Sequence, residues 1–162
     1  MRRILCAALL CCAALLRAGP ALADPAAQLA AGNAWRALDE FGAALTAYEA
    51  GLREAPGRAD LLAERALVLH RIGELQRAEA ELARAIAAAG PRDAAPFTAR
   101  AGLALLANRD ATADLAEARR RVPGDARAAA LTALVAARQG GPPVPPRVME
   151  ALRQDFGPWL SE

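Results

Sequence analysis

Apolar residues recur at steps of three and four along most of the chain after residue 25. The clearest stretch runs from Gly73 to Pro91, where one side is formed by Leu75, Ala78, Leu82, Ala85 and Ile86. This spacing predicts an α-helix with one apolar face. Glycine before the stretch and Gly-Pro after it mark its two ends. Because that face is mostly alanine, we expect the helix to pack closely between neighbouring helices.

The same pattern returns at a nearly constant interval. Ala44, Ala78 and Ala111 hold one equivalent position, with spacings of 34 and 33 residues. Three further sets of equivalent positions are Tyr48, Leu82 and Leu115; Gly51, Ala85 and Ala118; and Pro56, Pro91 and Pro123. Each period has room for two amphipathic helices, so the sequence predicts a row of helix pairs.

A period near 34 residues with two helices per unit resembles the tetratricopeptide repeat. The residues that carry this resemblance are Gly32, Trp35, Ala44, Tyr48, Leu52 and Pro56 in the first unit and Ala66, Gly73, Ala78, Leu82, Ala85 and Ile86 in the second. Gln28 departs from the family, which has tryptophan there, and the shorter turn at 108–110 blurs the register of the third unit. The resemblance implies an all-α fold, an α-solenoid of antiparallel helix pairs with about three such repeats and a C-terminal capping helix.

Capping residues predict where several helices begin. Asp24, Asp93, Asp110 and Asp125 are each expected to cap a helix, and Pro25 and Pro96 to occupy first turns. The helical repeat domain is predicted to span residues 24–139, and its last helix ends near Gln139. Trp35, Tyr48, Phe97 and Trp159 are expected to pack in the core or the cap.

A Gly/Pro-rich linker, residues 140–146, follows the repeats. It is interpreted as a stiff spacer rather than as a ligand for a proline-binding module. Residues 147–162 are predicted to form a C-terminal capping helix and tail. Within them, Val148, Leu152, Phe156 and Trp159 are expected to fold back over the last repeat, because terminal repeats need a cap.

Residues 1–23 have the pattern of a secretory signal peptide. Two arginines precede an apolar run from Ile4 to Leu16, and Ala21-Leu22-Ala23 forms a cleavage site before Asp24. The alternative is an uncleaved anchor, although the run is shorter than the roughly 20 residues that span a bilayer. We expect an exported, periplasmic product without stable membrane insertion. All three cysteines lie in this segment, so the mature chain has no thiol chemistry.

The net charge and the lack of known catalytic motifs bear on two classes of function, nucleic-acid binding and catalysis. The formal net charge of +2 becomes −1 once the three arginines of residues 1–23 are removed, which gives no electrostatic case for nucleic-acid binding. The chain has one histidine and none of the common catalytic or nucleotide-binding motifs. We therefore expect no enzyme activity, catalytic residue, cofactor or metal.

The resemblance also implies a concave groove, lined by the first helix of each repeat, that binds a protein or peptide partner. The positions it assigns to that groove are Leu29, Asn33, Arg36, Asp60, Ala63, Leu67, His70 and Arg71. An amide at Asn33 and guanidinium groups at Arg36 and Arg71 suit a peptide backbone or carboxylate. The alternative is that these polar side chains are simply solvated, and that His70 has no special role.

The leading hypothesis is a non-enzymatic binding scaffold or assembly adaptor of the bacterial cell envelope that uses this groove. A second hypothesis is a structural subunit without a peptide ligand, which associates with itself as a homo-oligomer or stabilises a larger complex. A third, weaker one is an accessory factor to an exported redox or cell-wall enzyme. The sequence does not identify the partner.

Overall fold

The computed structural model describes residues 24–158 and Leu160. This part of the chain contains eight α-helices and no strand, which confirms the all-α class. The helices are α1 (Pro25–Ala37), α2 (Phe41–Glu54), α3 (Ala59–Arg71), α4 (Leu75–Ala88), α5 (Ala95–Leu106), α6 (Thr112–Arg121), α7 (Ala126–Arg138) and α8 (Pro146–Phe156). The segment predicted as a signal peptide, residues 1–23, and Trp159 lie outside the described residues.

The helices stack as successive pairs. Within each pair the two helices pack on each other, α1 on α2, α3 on α4 and α5 on α6, and the second helix of each pair also contacts the first helix of the next. The first helices (α1, α3, α5 and α7) contact one another in sequence, whereas among the described residues no contact joins α2 to α4 or α4 to α6. The array is therefore solenoid-like, and it curves with the first helices on its concave side.

All four first helices end in the same turn. Asp39, Gly73, Asn108 and Gly140 have positive φ values of 58°, 85°, 52° and 88°. In each turn the next residue's N–H donates to the carbonyl five residues earlier, as Glu40 does to Trp35 at 3.0 Å and Gly141 to Ala136 at 2.9 Å. Gly, Asn and Asp are the residues that tolerate this left-handed conformation. The recurrence shows that α7 begins a fourth unit.

Two of the four predicted caps are confirmed and two are wrong. Asp24 accepts a hydrogen bond from Ala26 N at 3.0 Å, and Asp125 accepts one from Ala128 N at 2.7 Å. Asp93 does not cap α5, which begins after Ala94. Its carboxylate instead accepts from Gly90 N at 2.7 Å, because the chain reverses at Gly90 and brings that N–H within reach. The cap position of α6 is held by Ala111, and Asp110, one residue earlier, accepts from Thr112 N at 2.9 Å.

The core consists mainly of leucine and alanine from the facing sides of the pairs. Tyr48 and Phe97 are buried as predicted, but the prediction is wrong for Trp35, which is 44% exposed. Leu69, one repeat later, is 1% exposed. The difference follows from position, because α1 is the first described helix and no preceding pair covers that side of it.

The last helix does not cap the final repeat alone. Helix α8 contacts α7, as expected, but it also contacts α1, α3 and α5. It touches no second helix of a pair within the described part of the chain. The C-terminal segment therefore lies across the concave face of the whole array, which corrects the sequence-based prediction.

Replacing Gly32 with alanine should destabilise the fold. A Cβ there would lie 2.2 Å from Cε1 of the Tyr48 ring, which is fully buried. We expect a loss of about 1–2 kcal/mol, because overpacking outweighs the helix propensity of alanine. Gly42→Ala is the matched control, since no atom lies within 4 Å of its Cβ position. Urea denaturation should show the control to be as stable as the parent or slightly more stable, and equal effects at both sites would contradict the packing of α1 on Tyr48.

Candidate binding groove

The concave face is occupied by one side of the C-terminal segment. Three side chains of α8, Met149, Leu152 and Phe156, are buried at the spacing of successive helical turns, and Leu160, beyond the end of the helix, is buried as well. The opposite side of α8 is exposed, including Arg147, Glu150, Ala151, Arg153 and Gln154. The segment thus binds the array in the way that an amphipathic helix binds a groove.

A cluster of four charges lies between α8 and the first helices. Arg36 of α1 donates to Oδ1 of Asp155 at 2.8 Å and to the carbonyl of Gln154 at 3.1 Å. Arg127 of α7 donates to Oδ2 of Asp155 at 2.9 Å and to Oε1 of Glu64 at 2.6 Å. Glu64 of α3 also lies 3.4 Å from Arg36. The carboxylate of α8 is therefore held by arginines from the first and last helices of the array.

Two groups at this face, the guanidinium of Arg127 and the hydroxyl of Tyr48, have raised pKa values. Burial lowers the pKa of Arg127, but Glu64 and Asp155 raise it by more, so that its pKa lies above the ordinary value. Burial, and then Glu64, raise the pKa of the Tyr48 hydroxyl, which remains protonated and donates to Oδ1 of Asn33 at 2.7 Å. Both groups thus keep their protons at neutral pH and act as hydrogen-bond donors.

An aromatic socket anchors the end of α8. A Cβ at Gly102 of α5 would lie 2.0 Å from Cε1 of Phe156, so only glycine leaves room for this ring. The guanidinium carbon of Arg127 lies 5.9 Å from the ring centroid. Gly102 in α5 and Gly32 in α1 thus do the same thing, since each admits an aromatic ring against a helix backbone.

A cavity of about 300 Å³ remains beside the ring of Phe156. It is lined by His70, Arg71, Gly73, Leu106, Ala107 and Phe156. Arg71 is held at its edge by an ion pair with Asp39 at 3.0 Å and lies 5.0 Å from the centroid of Phe41. The C-terminal segment therefore leaves part of the concave face unfilled.

The structure brings three of the predicted groove residues to α8 or to the cavity beside it. Arg36 contacts Asp155, and His70 and Arg71 line the cavity. The expectation that Arg36 is an accessible donor is wrong, because it is 5% exposed and paired within the chain. Its carboxylate partner is Asp155 of the chain's own C-terminal helix, whereas the prediction was a carboxylate of a bound peptide.

The other predicted groove residues serve the fold. Ala63 and Leu67 are fully buried in the core, and Leu29 packs against it. Asn33 accepts from Tyr48, and Asp60 pairs with Arg58 at 2.8 Å and accepts from Leu61 N. These positions are thus filled by intramolecular contacts in this structure.

The sequence analysis missed Glu64, Arg127 and Asp155 as members of one site. Glu64 lies between Asp60 and Leu67 at helical spacing, so the groove positions themselves pointed to it. Arg127 and Asp155 gave no comparable indication. Arg36 and Asp155 are 119 residues apart, and no local pattern relates residues at that separation.

Among residues 24–158 and Leu160, no group of three His, Cys, Asp or Glu side chains could hold a metal ion. None of the described helices is long and apolar enough to cross a membrane. Comparisons with protein-family models, with curated proteins and with solved structures give no match.

Glu64→Gln should destabilise the protein strongly. The substitution keeps the shape but removes the charge that faces Arg36 and Arg127, so that the two guanidinium groups share Asp155 as their remaining carboxylate and the cluster carries an excess positive charge. We expect a loss of about 3 kcal/mol in the free energy of unfolding. The control is Glu74→Gln, which breaks an exposed pair with Arg77 and should change stability by less than about 1 kcal/mol. Similar midpoints for both variants in urea would contradict the buried cluster.

His70 should titrate below its ordinary pKa of 6.5. Burial disfavours the imidazolium, and Glu79 only partly opposes this. The unfolded chain then binds the proton more tightly than the folded chain does. His70 therefore has no effect on the free energy of unfolding above pH 6.5, and it lowers that free energy as the pH falls from 6.5 to the pKa of the folded state. NMR titration of this single histidine checks the direction, and His70→Gln should remove that part of the pH dependence. A pKa at or above 6.5 would contradict the burial of the ring.

Proposed function

We propose that this chain is a non-enzymatic protein-binding scaffold, an adaptor or assembly factor of the tetratricopeptide-repeat type. The observation that carries the proposal is the concave face itself, which holds an amphipathic helix through an apolar row and a paired carboxylate. A surface that fits one helical segment in this way has the geometry that helix-in-groove recognition uses. The repeat period and the recurring helix-end turn support the family assignment.

The ionisable groups of the concave face favour binding over chemistry. Arg36, Glu64, Arg127 and Asp155 neutralise one another, and both guanidinium groups donate to Asp155. A general acid or base needs a pKa near the working pH and access to a substrate. The cluster instead serves to position a helix by charge-assisted hydrogen bonds.

The proposed place of action is the bacterial cell envelope. Residues 1–23 carry the tripartite pattern of a secretory signal, and the cysteine-free mature chain needs no disulfide chemistry to fold. We expect cleavage after Ala23 and a periplasmic adaptor that joins a partner protein to a larger assembly.

Photo-crosslinking in the cell envelope tests the function. A photoreactive residue at position 70 lines the cavity beside Phe156, and one at Glu49 lies exposed on α2 as the matched control. We expect a discrete protein adduct from position 70 that is absent from position 49. The adduct should also be lost on Gly102→Leu, which blocks the aromatic socket.

Three outcomes would contradict a groove-binding scaffold. One is an adduct from position 49 alone, and another is no adduct from either site. The third is an adduct from position 70 that survives Gly102→Leu in a variant that circular dichroism shows to be folded. Mass spectrometry of the tryptic peptides identifies the crosslinked segment and shows whether it belongs to another protein or to this chain.

Self-association is the second candidate, because four large apolar side chains are exposed: Trp35, Leu38, Ile72 and Leu75. Leu38 and Ile72 hold equivalent places in successive turns. Light scattering at increasing protein concentration distinguishes the two functions. A mass that rises with concentration, and that returns to the monomer value on Leu38→Ser/Ile72→Ser, would favour the structural role.

A further inference from the structure

We propose that α8 is a displaceable internal ligand, and that the partner of the concave face is an amphipathic helix with the same recognition elements. These elements are an apolar row at the spacing of Met149, Leu152 and Phe156, and a carboxylate immediately before the aromatic residue. The inference rests on the proposed scaffold function, since it names the kind of partner and the regulation of the same surface.

The contact pattern shows that α8 behaves as a ligand rather than as part of the repeat array. The second helices α2, α4 and α6 each pack on the helix that precedes them and on the helix that follows. Helix α8 follows α7 in the chain but crosses all four first helices instead. It buries one row of side chains and leaves the other side in solvent, as a bound helical peptide does.

The charge balance of the concave face specifies an acidic occupant. Without α8 the cluster contains two arginines, Arg36 and Arg127, and one carboxylate, Glu64. Asp155 supplies the missing negative charge and bridges both guanidinium groups through its two oxygens. A helix without a carboxylate at this position would leave a buried positive charge unpaired, which strongly disfavours binding.

The aromatic socket specifies the next residue. Gly102 makes room for the Phe156 ring against the backbone of α5, and a Cβ would close that space. The side chain that follows the carboxylate must therefore be a ring or a similarly flat apolar group. Together the two sites determine both the direction and the register of the bound helix.

The intramolecular fit is incomplete in two respects. The cavity of about 300 Å³ beside Phe156 is left open. In the charge cluster, Nε of Arg36 and Oε2 of Glu64 are buried without a hydrogen-bond partner among the described residues. A partner helix that fills the cavity or satisfies these two atoms would bind more tightly than α8 and could replace it.

The attachment of α8 suits such an exchange. Residues 139–143 are exposed and lie outside any helix, so the segment is joined to the array by a short, solvent-exposed tether. A tether raises the local concentration of α8 at the groove, which reduces the apparent affinity for a competing helix. The expected effect is an autoinhibited scaffold that opens only to a partner with the better fit.

A cleavable tether tests the proposal. A protease site is inserted between Gly141 and Pro142 in the full chain, and the folded protein is then cut. A fluorescent peptide with the sequence of residues 144–162 is added, and fluorescence anisotropy reports its binding. We expect saturable binding to the cut protein and an apparent affinity for the uncut protein at least about 100-fold weaker. No binding to the cut protein would overturn the proposal.

Two peptides with the same change in net charge test the recognition elements. Asp155→Asn in the peptide should weaken binding at least about 30-fold, because it leaves Arg36 and Arg127 with only one carboxylate, Glu64, between them. Glu150→Gln removes a charge from the exposed side of the helix and should change binding less than about twofold. Equal losses from the two peptides would show that overall charge, and not the cluster, governs binding.

The same substitution within the uncut chain tests autoinhibition. Asp155→Asn should loosen α8 and so increase the affinity of the protein for the wild-type peptide. A variant that is folded by circular dichroism and binds the peptide no better would overturn the proposal. If the variant does not fold, peptide binding to the cut wild-type protein is the test of the proposal. A dimer that exchanges α8 between two copies would show that the groove binds a second copy of this chain. That outcome would also overturn the proposal.

These outcomes are separate from those of the envelope crosslinking experiment. Peptide exchange with no adduct at position 70 would support a displaceable α8 and reject the scaffold function. An adduct at position 70 together with a peptide that never binds would support the scaffold and reject the internal-ligand model.

Discussion

Asp155 lies between Arg36 and Arg127, at 2.8 and 2.9 Å, and this bridge connects the two ends of the helical array. Arg36 belongs to the first described helix, Arg127 belongs to α7, and Glu64 of α3 completes the cluster. A repeat array has contacts mainly between neighbours. The cluster adds contacts between units that are not neighbours, so the curvature of the concave face and the position of α8 depend on it.

Buried charge clusters of this kind seldom stabilise a fold more than apolar side chains at the same positions would. An apolar replacement of similar shape often serves the fold as well or better, whereas the removal of one partner is strongly destabilising. What the cluster provides here is a requirement for a carboxylate at one point on the groove. Together with the space at Gly102, it makes the concave face selective rather than merely apolar. This requirement supports the scaffold function proposed above, because an interface that only packs two elements together needs no such selectivity.

The sequence predicted the repeat architecture well, because the residues that define it act locally. Leu75, Ala78 and Leu82 form one face through helical spacing alone, and Gly73 ends the preceding helix through its own backbone preference. Asp24 and Asp125 cap through hydrogen bonds that span two or three residues. The candidate groove was predicted less well. Arg36, His70 and Arg71 lie where the concave face meets α8 or the cavity beside it, while Ala63, Leu67 and Asn33 are engaged in the fold.

The sequence alone therefore determined the helices, their period and the turns that end them, since each depends on interactions within one or two helical turns. The tertiary structure decided where α8 binds. That position is the sum of contacts with four helices that are far apart in the chain. It also decided that Trp35 is exposed while Leu69, its counterpart, is buried, because among the described residues a helix pair precedes α3 but not α1. Local patterns specify which faces are apolar, whereas the partner of each face is settled only when the whole array has assembled.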